Sequence, residues 1–265
     1  MKYFHPKNRA ILREMVAADF KVRYQGSALG YVWSVLKPLL LFAVLYVLFT
    51  YVAPIGKGVE HYGVSLLLGI VFWNFFAETT MVGASSVVAH GDLIRKISIP
   101  RYLVVIASSV SALINLSLSL IVVFIFTILN GVTPQLSWLL LPVIILELFI
   151  LSIGAAFILA TAYVKFRDVT YIWEVVLQAG FYASAIILPL TIVPTRLHVW
   201  FFMNPIVQIV QDARALLIQS THSITIWNTV DNPILKLVPF LIIISLCCLG
   251  FLYFRSQSKY FAEDI

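Results

Sequence analysis

Six long apolar runs, at 34–53, 62–82, 102–129, 137–162, 169–190 and 234–254, are separated by short polar segments. Each has the ~20 residues that a helix needs to cross a ~30 Å hydrocarbon core. The third and fourth exceed that length, which predicts tilt or projection beyond the bilayer. Ahead of the first run the pattern changes. In residues 7–24, Leu12, Val16 and Phe20 recur at i, i+4, i+8 with Ile11 and Met15 beside them, while Arg13, Ala17 and Lys21 climb another face. This predicts an amphipathic helix on the membrane surface; a helix packed on another protein would carry the same stripe. Between the last two runs, residues 195–203 and 206–219 form two helical patterns parted by Asn204-Pro205, each too short to span. In the second, Ile206, Ile209, Val210, Ala213 and Leu217 make one face, and Gln208, Gln211, Asp212 and Gln219 the other. The pair reads as a re-entrant element buried in protein or lining a cavity, or as a hairpin on the outer leaflet.

Composition strengthens the membrane reading. Of 265 residues, 61% are hydrophobic and 11% charged, against about a quarter charged in soluble domains; the mean hydropathy is +0.98. Residues 1–24 lack the apolar core and small-residue cleavage site of a secretory signal, so the first run is expected to stay in place. The net charge of +6 points to positive cytoplasmic loops rather than to nucleic acid. With an even number of spans and the N-terminus inside, fourteen of the eighteen Lys and Arg residues fall inside; Lys57, Arg196, Arg214 and Lys236 fall outside. That asymmetry predicts both termini in the cytoplasm. Trp33 and Tyr31 fall at the aromatic belt, and Lys37 can snorkel outward. Gly26 to Gly30 reads as a bend. Cys247 and Cys248 are adjacent in an apolar run and read as small apolar residues.

The chain carries no phosphate-binding GxxxxGK[ST] loop, no HExxH, no Cys/His cluster and no GxSxG elbow. An intrinsic enzyme is poorly supported, so the energy for work must come from a partner or an ion gradient. Three carboxylates fall within runs: Glu78, Glu147 and Glu174. Each can serve proton coupling or be structural, paired with a polar residue of a neighbouring span. Trp73 and Phe76 in the second run, and Tyr171, Trp173, Phe181 and Tyr182 in the fifth, can stack on sugar rings along a carbohydrate path, or simply pack helices. Ser108, Ser111, Asn115 and Ser119 form a polar stripe suited to helix contact or a wet passage.

One polar segment is unlike the others. In 87–101, Leu93, Ile94 and Ile97 can form one side of a short helix, with Asp92, Arg95, Lys96 and Arg101 around them, and Pro100 ends it. An exposed amphipathic helix without its own core fits a partner groove or lies on lipid headgroups.

The stretches DFKVRYQGSALGYVWSVLKPLL from Asp19, DLIRKISIPR from Asp92, FRDV at Phe166, Asn204-Pro205 and the C-terminal YFAEDI together resemble the ABC-2 family of export permeases, in particular its branch for O-antigen, capsule and teichoic-acid polymers. The likeness covers nearly the whole chain. It implies an all-α integral membrane protein, one domain over 1–265, with six transmembrane helices, an N-terminal interfacial helix, a cytoplasmic coupling helix at 87–101 and outer re-entrant gate helices at 195–219. It implies a bacterial cytoplasmic-membrane location, a homodimer, and two copies of a separate ATPase that binds ATP and magnesium, with no cofactor in this chain. Asp92 to Ile97, Pro100 and Arg101 would then contact the ATPase; Asn204, Pro205, Asp212 and Arg214 would belong to the gate. Arg13, Arg23 and Lys37, with Lys21 and Arg167, could meet the diphosphate of an undecaprenyl-linked glycan. A drug-efflux permease and a membrane enzyme acting on lipid-linked sugars are the competing expectations.

Overall fold

The computed structural model describes residues 6–24, 30, 32–53, 55–56, 58–96, 99–218 and 223–261, the side chains of Pro6, Lys7, Phe20, Arg23, Tyr24, Arg95 and Lys96 excepted. Among the described residues every regular element is helical. They are α1 (Pro6–Tyr24), α2 (Val32–Val47, continued by a π turn Leu48–Val52), α3 (Tyr62–Ala89), α4 (Gly91–Lys96), α5 (Tyr102–Leu129) and α6 (Leu141–Lys165, entered through a 3₁₀ turn Leu136–Leu140). Then follow α7 (Val169–Ala183), a 3₁₀ turn Leu190–Ile192, α8 (Thr195–Phe202), α9 (Pro205–Ile218), α10 (Ile226–Thr229) and α11 (Pro233–Gln257). Five of these are long and apolar enough to span a bilayer: α2 with its π turn, α3, α5, α6 and α11.

The expected fifth span, 169–190, differs from its apolar run. Helix α7 stops at Ala183, after 15 residues. The chain then runs without helix through Ser184–Pro189, with Ala185 left-handed at φ +50°. Hydropathy cannot see this break, because Ile186, Ile187 and Leu188 continue the run. The second span, by contrast, is longer than its apolar run. The helix continues to Ala89 because Gly83, Ala84, Ser86 and Val87 are buried against neighbours.

Helix α3 is the hub. It packs on α5 and α6 along its length and on α2, α7 and α9 over shorter stretches; Leu66–Trp73 are buried on every side, while Asn74, Ala77, Glu78, Met81, Val82 and Ser85 form one partly buried face. The stripe on α5 is its contact surface. Ser108, Ser109 and Ser111 return their hydroxyls to carbonyls of their own helix, and Asn115 donates to Glu78 of α3 at 2.8 Å. Glu78 is therefore partnered by a neighbouring span. Helices α6 and α11 approach almost backbone to backbone: a Cβ on Gly154 would meet the Cys247 nitrogen at 2.8 Å. Small residues permit this in membranes, where close packing replaces hydrophobic driving force.

The apolar side of α1 packs on the protein. Met15 joins Val87, Ile94, Val104, Phe157, Phe254 and Phe261 in one core, with Ile11, Leu12 and Val16 against it. The N-terminal helix, α4 and the last helix thus meet at one end of the bundle, here the terminal end. A separate core at the opposite end holds Ala185, Leu190, Phe202, Val207, Ile226 and Val230.

Candidate functional site

At the opposite end, residues 184–193 form a strap, without helix over Ser184–Pro189 and closed by the 3₁₀ turn Leu190–Ile192. Backbone without helix at membrane depth must find its hydrogen bonds in the protein, and here side chains supply them. Arg214 of α9 donates to Ala185 O from Nη1 at 3.0 Å and to Ile186 O from Nη2 at 2.7 Å. Its Nε donates to Ser65 O of α3 at 3.1 Å. The Tyr62 hydroxyl donates to Ile187 O at 3.0 Å. His198 Nε2 reaches Leu190 O and Val193 O at 3.0 and 2.9 Å, and Asn204 Nδ2 donates to Ser184 Oγ at 3.2 Å. The left-handed Ala185, which costs about 1–2 kcal/mol, is held by this bracing. Space for the guanidinium comes from Gly69, whose added Cβ would sit 3.0 Å from Arg214 Nη2.

Asn204 and Pro205 start α9. Asn204 Oδ1 accepts from Ile206 N at 3.0 Å, and Pro205 occupies a first-turn position where no N–H is needed. The other end of α9 is capped by the 3₁₀ turn before α6: Ser137 Oγ donates to Leu216 O at 2.9 Å and Trp138 Nε1 to Leu217 O at 3.1 Å. The polar face expected on α9 is not exposed. Gln208, Gln211, Asp212 and Arg214 are all buried, so α9 does not lie as a hairpin on a surface. Gln219 lies outside the described residues.

The six aromatic candidates divide. Trp73, Phe76, Trp173 and Phe181 form one packed group between α3 and α7, locked by Trp173 Nε1 donating to Thr80 Oγ1 at 2.9 Å. Tyr171 and Tyr182 are on the other side of α7, 71% and 69% exposed. Between them, at i+3 and i+7 from Tyr171, are Glu174 and Gln178, also exposed. Sequence reading singled out the tyrosines but not this polar line; wheel spacing of 171, 174, 178 and 182 is the signal that reveals it.

At the terminal end, α4 turns Ile94 into its own core, leaves Leu93 partly buried against it, and leaves Asp92 exposed. The apolar side of α4 is therefore split between the chain itself and free surface. The side chains of Arg95 and Lys96, and all of Ile97, lie outside the described residues. Pro100 opens α5, its carbonyl accepting from Leu103 N at 2.9 Å, and Arg101 O accepts from Val104 N at 3.2 Å. His90, at the α3–α4 corner, pairs with Asp19 of α1 at 3.3 Å.

The basic candidates are not gathered at one place. Arg13, with Arg9, borders a groove between α1 and α5 lined by Leu12, Val16, Val110 and Ile114. Lys37 lines a different cleft, of about 460 Å³, among α2, α3 and α5, with Asn74, Glu78, Asn115 and Ser119; small-ligand sites span about 300–1,000 Å³. Arg167 covers the Tyr163 ring at 5.2 Å, and Lys21 is exposed. The Arg23 side chain, residues 25–29, Tyr31, Lys57 and residues 262–265 lie outside the described residues.

Comparison with known proteins places this architecture. Three O-antigen export system permeases named RfbA are similar to the chain. One from Klebsiella pneumoniae is 28% identical over 204 residues, covering 77% of this chain and 78% of its own. One from Myxococcus xanthus is 28% identical over 210 residues, 78% and 80%. A second Klebsiella pneumoniae protein is 27% identical over 199 residues, 75% and 76%. The family model of the ABC-2 type transporter matches residues 12–218, from α1 through the end of the strap-bracing helix α9, and the chain belongs to the ABC-2 transporter membrane family.

Proposed function

We propose that this chain is the membrane subunit of an ATP-driven exporter of lipid-linked polysaccharide of the O-antigen type. It works as a homodimer with two copies of a separate ATPase, and both termini are cytoplasmic. The observation that carries the cargo class is the free face of α7. Tyr171, Glu174, Gln178 and Tyr182 are exposed along a helix of an otherwise apolar bundle. Lipid-facing helices have no use for a carboxylate and an amide in line. Aromatic faces stack on sugar rings, and carboxylate and amide groups bond their hydroxyls. The names of the three relatives point to the same cargo rather than to drug efflux.

On this reading α4 is the coupling helix and the pair α8–α9 is the outer gate. Closure of the ATPase dimer on ATP pushes α4. Ile94 transmits that push into the core shared with Val87 of α3 and Val104 of α5. Helix α3 is 28 residues long, about 42 Å at 1.5 Å per residue, and its far end carries Ser65 and Tyr62, two of the strap's anchors. Rigid-body motion of packed helices then moves the strap from the terminal end. The groove at Arg9 and Arg13 and the cleft at Lys37 are cytoplasmic sites where the lipid diphosphate is received.

The test is lipid analysis of cells carrying Tyr171→Ala with Tyr182→Ala. Lipid-linked glycan should accumulate on the cytoplasmic side while the protein and its ATPase still co-purify. Normal surface polysaccharide in the double variant would remove α7 from the path.

A further inference from the structure

One cleft gathers polar side chains that the fold leaves without partners. It lies among α2, α3 and α5 and has a volume of about 460 Å³, a size that holds a small ligand. Lys37 of α2, Asn74 of α3 and Ser119 of α5 line it, and among the described residues none of the three has a hydrogen-bond or ionic partner. Ser119 is nonetheless only 7% exposed. Beside them in the same wall is the Glu78–Asn115 pair, joined at 2.8 Å. The partly buried face of α3 is the face turned to this cleft, since Asn74, Ala77, Glu78, Met81 and Val82 all line it.

The two ends of the cleft differ in chemistry. Lys37 is five residues into α2, about 8 Å from that helix's start at the terminal end of the bundle, and the exposed Trp33 is in the wall beside it. Asn74 is twelve residues along α3 from Tyr62, about 18 Å into a helix of about 42 Å, and so near the middle of the bundle. A cation at the outer reach of the cleft attracts an anion. The Glu78 carboxylate, deeper in, repels one, but it accepts bonds from hydroxyls, and the amides beside it both donate and accept. A phosphate therefore has one place in the cleft and an uncharged, hydroxyl-rich group has the other. Polar side chains at membrane depth are costly unless they meet such a group.

Given the lipid-linked cargo proposed above, on which this inference rests, we propose that the cleft reads the first sugar of the glycan, the pyranose joined directly to the diphosphate. Lys37 meets the phosphate at the mouth. Trp33 offers a ring face to the apolar side of the sugar, and Asn74, Ser119 and the Glu78–Asn115 pair bond its hydroxyls. The diphosphate and the first sugar are neighbours in such a molecule, in the order in which the cation and the amides follow one another into the cleft. The free face of α7 has no cation in line with its tyrosines and so meets any unit of the polymer, whereas this cleft selects the one unit that carries the phosphate. The substrate is held and no covalent bond changes.

Titration calorimetry of the full-length chain with its ATPase in lipid nanodiscs tests this. One probe is citronellyl diphosphate; the others are the same diphosphate carrying N-acetylglucosamine or galactose. The wild type should bind at least one sugar-bearing probe about tenfold or more tightly than the bare diphosphate, because a site built to bond hydroxyls discriminates against their absence. Asn74→Leu should shrink that ratio and leave the affinity for the bare probe unchanged. Lys37→Gln should weaken all probes by the same factor and keep the ratio. A ratio near one in the wild type would overturn the sugar site and leave the cargo reading standing, because the bare diphosphate still binds; binding of no probe would overturn both. The complex contains both copies of the chain, so a cleft filled by the second copy also gives a ratio near one. A ratio that survives Asn74→Leu, or that collapses in Lys37→Gln, would likewise overturn the site. If Asn74→Leu does not accumulate, Ser119→Ala is read in the same way, and an unchanged ratio there overturns the site by itself.

Discussion

The two ends of the bundle are held together by different physics. At the terminal end, α1, α3, α4, α5, α6 and α11 interdigitate apolar side chains, and many residues share the load. At the opposite end, a broken backbone is held by a few polar side chains, with Arg214 alone serving three carbonyls. Burial of apolar area is additive and forgiving. A hydrogen bond to an enclosed carbonyl is neither, because its loss leaves an orphan acceptor in a place without water. On the proposed function, the first arrangement suits a surface that receives a push and stays intact. The second suits an element that opens as a unit.

Substitutions at the two ends should therefore differ in size. Arg214→Ala orphans the strap carbonyls of Ala185 and Ile186, at about 1–3 kcal/mol each, removes the extra bond to Ser65 O of α3, and should lower the melting temperature of the detergent-solubilised protein more than any single change at the terminal end. Arg214→Lys should not restore it, since a point ammonium cannot reproduce the guanidinium fork. A melting curve for Arg214→Lys equal to the wild type would contradict the bracing role. Ile94→Ala removes a buried aliphatic from a shared core and should cost about 2–4 kcal/mol, with the remaining contacts still holding α4 in place. Equal destabilisation by Ile94→Ala and Arg214→Ala would erase the distinction between the ends.

The smallest effect concerns pH. His90 is held above its ordinary value of 6.5, chiefly by its hydrogen bond to Asp19; burial opposes this, and the Ser86 carbonyl adds to it. Because the folded value is raised, the stabilisation is full below about 6.5 and is lost as pH rises through the higher folded value. The melting difference between wild type and His90→Gln should accordingly be present in mild acid and fade in alkali. A difference that grows with pH would contradict the pairing with α1.

Much of this architecture was legible in residue patterns, and the gaps have physical causes. The run 102–129 coincides with α5, 137–162 lies within the 3₁₀ turn and α6 together, and 234–254 lies within α11, because lipid demands helix of a definite length. The break after Ala183 was not legible: a tertiary contact from Arg214, thirty residues on, makes it, while the local residues remain apolar. The polar face of α9 has the periodicity of a surface helix, yet Gln208, Asp212 and Arg214 face partners inside the bundle. In a membrane protein, polarity marks the interior as readily as the outside. Asn204-Pro205 was readable as a helix start, since an N-cap and its proline are local chemistry. The stripe of α1 announced an apolar contact but not its partner, which turned out to be the core around Met15.

On the proposed function, α4 is the place where a separate ATPase grips the chain from the cytoplasm. Ile94 belongs to the core, so the informative change is Leu93→Asp together with Ile97→Asp, scored by co-purification of the ATPase with membrane-inserted protein. The ATPase should be lost while the permease stays inserted and folded. Retention of the ATPase at wild-type stoichiometry would contradict the assignment.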